Sequence, residues 1–294
     1  YYTGWCTAAG ENFAKDQLED GDFYVYYTLD ENGDAKVPRI AIRMDGKNKI
    51  GEIRGISGKQ NMEPEMMPIL EEKLKEFPDR DKYLKKEHDM KLLTLIDKKV
   101  NNNIELNLGE LKFLYEIDDK ISGFGFMEDP RIKEIKSKRN IKRDYSIIFN
   151  IKEEDVALSQ EEWKKTPNKF KVLVGNLDLS HYNSLDNIVL PKYISGNLNL
   201  SSLSNANGII FPQQVGGNLK LSSLTSAEGV VLPIRVNGDL DLNRLTTANG
   251  LVLPQYIGGR LIAFDLRTIE GLKLPYGFNL NRLKCPANVK NEIL

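Results

Sequence analysis

A 21-residue repeat in the C-terminal part of the chain constrains its fold more than any other feature. Five consecutive segments align without gaps from Gly175 to Phe278, and each begins with a glycine. A fixed period of about 20–50 residues indicates a stacked array, in which each repeat covers the apolar edge of its neighbour. The five glycines are Gly175, Gly196, Gly217, Gly238 and Gly259.

Apolar residues recur at five positions of the repeat. Two of them follow the glycine with the spacing L-x-L, which predicts a strand with one face inward and one outward. All five positions are therefore predicted to point into the core. The sets are Leu177, Leu198, Leu219, Leu240 and Leu261; Leu179, Leu200, Leu221, Leu242 and Ala263; Tyr182, Leu203, Leu224, Leu245 and Leu266; Leu190, Phe211, Leu232, Leu253 and Leu274; and Ile194, Val215, Val236, Ile257 and Phe278.

Two further positions predict where each coil bends. Proline follows the fourth apolar position in every repeat, and it has no N–H to give to a strand ladder, so it indicates a corner. A glycine in the middle of four repeats suits a bend with positive φ. Each coil is therefore predicted as strand, bend, short extended segment, proline corner and return. The bend glycines are Gly208, Gly229, Gly250 and Gly271.

The unit L-P-x-x-V-x-G-x-L-x-L resembles a leucine-rich-repeat-like solenoid of bacterial and phage proteins, most of them uncharacterised. The L-x-L strand followed by an L-P corner also overlaps the leucine-rich repeat pattern. In that pattern an asparagine is usual where this chain has Leu203, Leu224 and Leu245. The departure leaves both a horseshoe and a straighter β-solenoid open. The resemblance covers about a third of the chain and concerns fold rather than function.

The whole chain has 294 residues, which is enough for two domains with a core. We predict an α+β N-terminal region followed by a β-solenoid with the 21-residue period. The predicted divisions are a β-rich unit with hairpins (1–58), a helical region packed with it (59–170), the solenoid (171–279) and a C-terminal cap (280–294). Because the sequence begins YYTGW rather than with Met, we expect it to be a fragment.

Three strands and several helices are predicted before the repeat. Asn-Gly and Asp-Gly between alternating segments indicate hairpins, and Asp129 before Pro130 indicates a helix N-terminus. Residues 144–170 read as a mixed junction. The predicted strands are Asp22–Leu29, Val37–Met44 and Lys49–Gly55. The predicted helices are Glu11–Leu18, Glu65–Glu76, Asp81–Asn101, Leu108–Ile117, a helix from Pro130 to about Arg139, and a short capped helix at Ser159–Trp163.

The opening of the chain resembles a second family. Gly4-Trp5-Cys6-Thr7-Ala8, a polar helix and then Gly21-Asp22-Phe23-Tyr24-Val25 are similar to the G-x-x-W-C-T-A module of phage and bacterial proteins of unknown function. The likeness covers roughly residues 1–60 and implies no activity. Cys6 is the one weak catalytic candidate, since a thiol before a helix can be activated by the helix N-terminus. The alternative is a buried structural thiol beside Trp5.

Cofactor and metal sites are not predicted. The two histidines and two distant cysteines supply no ligand cluster with the usual spacing, and no phosphate-binding glycine motif occurs. The net charge is −1, so no overall field indicates a nucleic-acid partner. A basic stretch at residues 131–143 leaves nucleic acid as a weaker alternative, or else it is a solvated helix face. Its candidate phosphate contacts are Lys136, Lys138, Arg139, Lys142 and Arg143.

Outward positions of the solenoid strands carry the binding residues that we predict. They are polar and vary in charge, as expected for solvated surface, for stacked amides that support the ladder, or for a surface that meets a partner. We predict a non-enzymatic protein that binds a protein partner through this face. The predicted binding residues are Asn199, Asn218, Lys220, Asp239, Asp241 and Arg260.

Two other functions stay open at this stage. One is an enzyme centred on Trp5-Cys6-Thr7 with the solenoid as a targeting arm, and the other is a nucleic-acid-associated phage or defence factor. Few cysteines favour a reducing cytoplasm. No apolar run approaches the roughly 20 residues that a membrane span needs, so no membrane partner is predicted.

Overall fold

A computed structural model describes residues 15–16, 18–56, 62–124 and 127–291 of the chain. As predicted, an α+β N-terminal region precedes a parallel β-solenoid of about five coils. The chain forms two compact units. The first comprises the described residues up to Lys91 and those of 122–127; the second comprises Leu92–Ile121 and the described residues from Glu128 onward.

The first unit contains a three-stranded antiparallel sheet in the order β1-β2-β3. Its strands are β1 (Phe23–Leu29), β2 (Ala35–Asp45) and β3 (Lys49–Gly55), which confirms the three predicted strands. Asp30 closes the first hairpin, because its Oδ1 accepts hydrogen bonds of 2.9 Å from the N–H groups of Asn32 and Asp34. These are the Asx-type bonds that favour a turn.

One face of this sheet packs against helices. A 3₁₀ turn at Pro64–Met66 leads into α1 (Met67–Leu74), and α2 (Arg80–Asn101) follows. The boundary between the two units falls within α2, after Lys91. Alternating β2 side chains pack against apolar residues of the helical segment, as expected for a sheet with one buried face. The buried members are Ile40, Ile42, Met44, Ile50, Met66, Leu70, Leu74, Phe77 and Tyr83.

The second unit begins with short capped helices. They are α3 (Leu108–Leu114), α4 (Pro130–Ser137), α5 (Ile141–Phe149) and α6 (Gln160–Lys165). The predicted caps at Asp129 and Ser159 are confirmed, since their side chains accept from the N–H groups of Arg131 and Glu162. Helix α5 was not predicted, because the predicted helix ended at about Arg139 and residues 144–170 were interpreted as a mixed junction. The helical path is interrupted between α4 and α5. The side chain of Asn140 caps α5 by accepting a hydrogen bond from Arg143 N at 3.1 Å.

The strands of the solenoid form two parallel sheets, which we call the first sheet and the second sheet. The first four coils contribute one strand to each sheet, and the fifth coil contributes one to the first sheet only. Neighbouring strands pair in register, so most pairs join residues 21 positions apart. The first sheet contains β6 (Leu177–Asp178), β8 (Leu198–Asn199), β10 (Leu219–Lys220), β12 (Leu240–Asp241), β14 (Leu261–Ile262) and β15 (Leu283–Lys284). The second contains β4 (Val156–Ala157), β5 (Val172–Leu173), β7 (Tyr193–Ile194), β9 (Gln214–Val215), β11 (Arg235–Val236) and β13 (Tyr256–Ile257).

The core between the sheets consists of the predicted inward sets. The L-x-L leucines are at most 1 % exposed and Ala263 is 4 % exposed, which confirms the predicted strand alternation. Tyr182 is the exception: it is 42 % exposed and its predicted inward position was wrong. Its coil places Leu185 where later coils have small alanines, and the buried Leu185 supplies apolar volume to the core instead. These alanines are Ala206, Ala227 and Ala248.

The predicted bend is confirmed at the middle glycines. Their φ angles lie between +71° and +78°, a region that side chains other than asparagine and aspartate rarely occupy. In the first coil Asn187 stands at this position with φ +66°. A residue three positions before each bend accepts a hydrogen bond from the N–H two residues on, which fixes the turn. These acceptors are Ser184, Asn205, Ser226, Thr247 and Thr268.

Both ends of the solenoid are extended by non-repeat residues. At the N-terminal edge of the first sheet, the side-chain oxygen of Gln160 accepts from Asp178 N. At the other end β15 pairs with β14, and α7 (Ala287–Asn291) buries Val289 against Ala263 and Leu266. Among the described residues, no helix combines the length and the apolar character that crossing a membrane requires.

Candidate recognition surface

The outer face of the first sheet carries two rows of polar residues. In the first row, a side-chain oxygen of one coil accepts a hydrogen bond from the backbone N–H of the equivalent residue in the next coil. The four donor–acceptor distances run from 2.6 to 2.8 Å. The row is thus a ladder that ties each coil to the next one. Its members are Asn176, Asn197, Asn218, Asp239 and Arg260.

The ladder explains why a glycine precedes each later member of the row. A Cβ atom on Gly217 would lie 2.3 Å from Asn197 Oδ1 and 2.8 Å from the carbonyl carbon of Gly196. Real Cβ atoms do not approach other atoms so closely. The side chain of one coil therefore occupies the space that a side chain at the next coil's glycine would need. The same clash arises at Gly196, Gly238 and Gly259.

The second row lies two residues further along each strand. Asp178, Asn199 and Asp241 each accept, through Oδ1, from the N–H two residues later, at 2.9, 3.2 and 3.0 Å. These bonds close the bend after the strand in the manner of an Asx turn. Asp241 also accepts from Ser222 Oγ at 2.8 Å. Lys220 and Ile262 occupy the other two positions, and Lys220 is exposed.

All six predicted binding residues lie on this face. Asn199, Lys220 and Asp241 belong to neighbouring strands, and the other three directly precede the strands of their coils. Two of them form an ion pair, since Arg260 Nη2 lies 2.7 Å from Asp239 Oδ2. The hydrogen bond from Arg260 holds the pKa of Asp239 below its usual range. The pair neutralises two of the predicted charges, whereas Lys220 is exposed to solvent.

Asp239→Asn tests this ion pair without breaking the ladder, because an amide Oδ1 can still accept from Arg260 N. A carboxylate with a lowered pKa stabilises the fold above its unfolded pKa of about 4, and this contribution disappears as the pH falls through the folded pKa. We expect the variant to lose less than about 1 kcal/mol of unfolding free energy near neutral pH, because Arg260 is largely exposed. The difference should vanish in acid.

Urea unfolding of both proteins at neutral pH and in acid measures the effect. Arg260→Gln is the matched control, since it removes the other charge and should show the same dependence on pH. A stability difference that persists in acid would contradict an ionic contribution.

The helical segment of the second unit packs on the outer face of the second sheet. The Tyr193 ring packs against Phe149 with centroids 4.6 Å apart and against Tyr145 at 5.9 Å. Further along the sheet, Gln214 Nε2 donates to Ile117 O and Arg235 Nη2 donates to Asp118 O. Within the second unit, therefore, one outer face holds the helical segment and the other presents the two polar rows.

The basic residues of the predicted nucleic-acid site lie on and between α4 and α5. Asp144 is buried and holds Arg139 in two bonds of 2.6 and 2.7 Å. The Lys136 ammonium lies 5.6 Å from the centre of the Tyr115 ring, and burial lowers its pKa. The other three are each bound to a neighbouring side chain. These pairs are Lys138 with Asn101, Lys142 with Glu162, and Arg143 with Glu105.

The weak catalytic candidate Cys6 lies outside the described residues, as do Trp5 and Thr7 and most of the predicted helix Glu11–Leu18. Cys285 is described: it is partly buried against the end of the solenoid core, and burial raises the pKa of its thiol. Among residues 15–16, 18–56, 62–124 and 127–291, no cluster of three metal-ligating side chains occurs.

Sequence reasoning missed the contacts on the second sheet. Tyr193, Gln214 and Arg235 are equivalent residues of successive coils. The change of residue type at this one position was the available sign that it makes different contacts in each coil. Compared with known proteins, the chain matches no family model, no curated protein and no solved structure. The function must therefore be inferred from the geometry of these surfaces.

Proposed function

We propose that this chain is a protein-binding module that recognises its partner through the outer face of the first sheet. The observation that carries the proposal is the contrast between the two faces of that sheet. Its inward positions are almost uniformly leucine, so they differ little from coil to coil. Its second outward row reads Asp178, Asn199, Lys220, Asp241 and Ile262, so neighbouring coils present different groups.

The regular spacing of the strands supports this use. Six strands with a step of about 4.8 Å extend the face over roughly 24 Å. That length suits a standard interface, which buries about 800 Å² on each partner. Because hydrogen bonds fix the rows to the backbone, most of these side chains are already ordered before binding. Preorganisation of this kind lowers the entropic cost of association.

Lys220 is the residue on which we expect specificity to depend most. The first-row charges of Asp239 and Arg260 neutralise each other, and Asp241 is held in two hydrogen bonds. Lys220 lies at the middle of the sheet and is exposed. A partner with a carboxylate opposite Lys220 would be favoured, since charge complementarity mainly sets specificity and encounter rate.

The proposal is tested with a partner captured by the full chain, purified and then titrated against variants. Lys220→Glu should weaken binding about tenfold or more, since like charges then face each other. Asp241→Asn removes a charge but keeps the turn acceptor, so it separates charge from structure. Lys133→Glu is the matched control, because Lys133 is an exposed lysine on α4.

We expect the control to bind like the parent. The free energies of unfolding of all three variants should lie within about 1 kcal/mol of the parent's. Equal binding by the parent and by Lys220→Glu would exclude the first sheet as the interface. The interface would then be sought at the proline corners.

A further inference from the structure

A cavity of about 530 Å³ lies on the outer face of the second sheet, next to the C-terminal end of α5. Apart from the aromatic rings of Phe149 and Tyr193, its walls include Lys171, Lys192 and Arg235. Its volume is within the range of about 300–1,000 Å³ that is typical of small-molecule sites. The lining contains three cationic side chains and no carboxylate.

Among the residues that the structure describes, two of these cations have no carboxylate partner. Arg235 donates to Asp118 O and to Asn237 Oδ1, and its guanidinium lies 3.8 Å from the centre of the Tyr256 ring. All these partners are uncharged groups. Lys192 is exposed, and within the described part of the chain no acidic side chain pairs with it. Lys171 differs, because it forms a 2.8 Å ion pair with Asp155.

Two acidic side chains of the helical segment, Asp118 and Glu116, each have another partner. Asp118 lies 3.9 Å from Lys112, and Glu116 accepts a hydrogen bond from Ile121 N at 3.0 Å. The carbonyl groups in the last turn of α5 could also have bound the cations. Two of them instead accept hydrogen bonds from backbone N–H groups just after the helix. Asn150 N donates to Ile147 O, and Ile151 N donates to Ser146 O.

The aromatic wall adds a second kind of recognition. Phe149 and Tyr193 lie 4.6 Å apart at 37° and line the cavity together. Tyr193 is only 2 % exposed and supports the partly buried Phe149 ring from behind. The Phe149 ring offers a flat ligand apolar contact area and favourable ring packing. Gln213 and Gln214 add amide groups for hydrogen bonding. A cavity with excess positive charge and an aromatic wall suits a ligand that is both flat and anionic.

We propose that this cavity binds a small organic anion in which a flat ring carries a phosphate or a carboxylate. The ring would pack against Phe149, which Tyr193 holds in place, while the anionic group would approach Lys192 and Arg235. Phosphate and carboxylate share the geometry that cationic donors recognise, so the experiment distinguishes them by its probes.

Isothermal titration of the full chain at low ionic strength tests the proposal with four probes. AMP carries a ring and a phosphate, benzoate a ring and a carboxylate, adenosine only the ring system, and inorganic phosphate only the anion. We expect AMP, benzoate or both to bind, and to bind more tightly than adenosine and phosphate do. The probe that binds identifies the anionic group.

Lys192→Gln should weaken binding of that probe about tenfold, as expected when a charge-assisted contact is lost. Lys133→Gln removes an exposed lysine from α4, away from the cavity lining, and should leave the affinity unchanged. The proposal is overturned if neither AMP nor benzoate binds, if adenosine or phosphate alone binds as tightly, or if Lys192→Gln binds like the parent. If no probe bound and Lys192→Gln had a lower melting temperature than the parent, the lysine would have a structural role instead.

Discussion

Replacement of Leu221 by alanine is expected to lower the free energy of unfolding by about 2–5 kcal/mol. Leu221 is fully buried in the middle coil, between Leu200 and Leu242 of the neighbouring coils. Because the coils above and below hold their backbones in register, the core cannot close the cavity that the variant would leave. Urea-induced unfolding, followed by circular dichroism, measures the change.

Lys220→Ala is the matched control for Leu221→Ala. Lys220 precedes Leu221 in the chain but is exposed on the outer face, so its replacement should be nearly neutral. If both variants lost the same stability, the alternation of inward and outward residues in this strand would be wrong.

Gly217→Ala is expected to be at least as damaging, although it adds only one methyl group. The new Cβ would meet Asn197 Oδ1 at 2.3 Å and the backbone of residues 196 and 197 at less than 3 Å. Relief requires that Asn197 release Asn218 N and that two coils move apart. We expect a loss of about 3 kcal/mol or more, since overpacking here also breaks a hydrogen bond.

Gly109→Ala provides the comparison for Gly217→Ala. Gly109 lies in the first turn of α3, where an added Cβ would meet only Asn107 Oδ1 at 3.4 Å. Alanine in a helix should be neutral or stabilise by up to about 1 kcal/mol. In the double variant Asn197→Gly with Gly217→Ala, part of the loss should be recovered because the closest clash is gone. Absence of any recovery would mean that the backbone contacts alone exclude the methyl group.

The solenoid could be predicted from the sequence because its information is repeated five times. A leucine at Leu219 alone is ambiguous, but five leucines at the same position of the period define one face. The first coil was the weak point, because Tyr182 was assigned by alignment alone. The first coil has the large Leu185 where the next three coils have alanine. This departure breaks the sequence pattern, but the core remains filled.

Helix α5 was missed although its signals are present. Asn140 caps its start and Asn150 closes its end with φ +51°, and both residues are typical of these positions. The predicted helix instead ended at about Arg139, and residues 144–170 were interpreted as a mixed junction, so the segment between the two caps was not assigned to a helix. The backbone follows the caps.

The outward position of the candidate residues could be predicted, but their hydrogen bonding could not. Polar outward rows are compatible with solvated surface, with stacked amides or with a binding face, and the sequence left these alternatives open. The structure assigns the first row to a ladder, because Asn197 and its equivalents reach the next backbone N–H. The cavity beside Tyr193 depends on which helix packs on the second sheet, and no spacing in the sequence encodes that choice.

Gln160 lies at the open edge of the first sheet, where a further parallel strand could pair. A parallel sheet made of identical coils presents, at its first strand, the same unpaired groups that each coil offers to the next. A second molecule could continue the stack there, as exposed strand edges do in fibres. The Gln160 side chain binds Asp178 N, one of the groups that such growth would need. A single residue outside the repeat thereby occupies one of the donors that a further parallel strand would need.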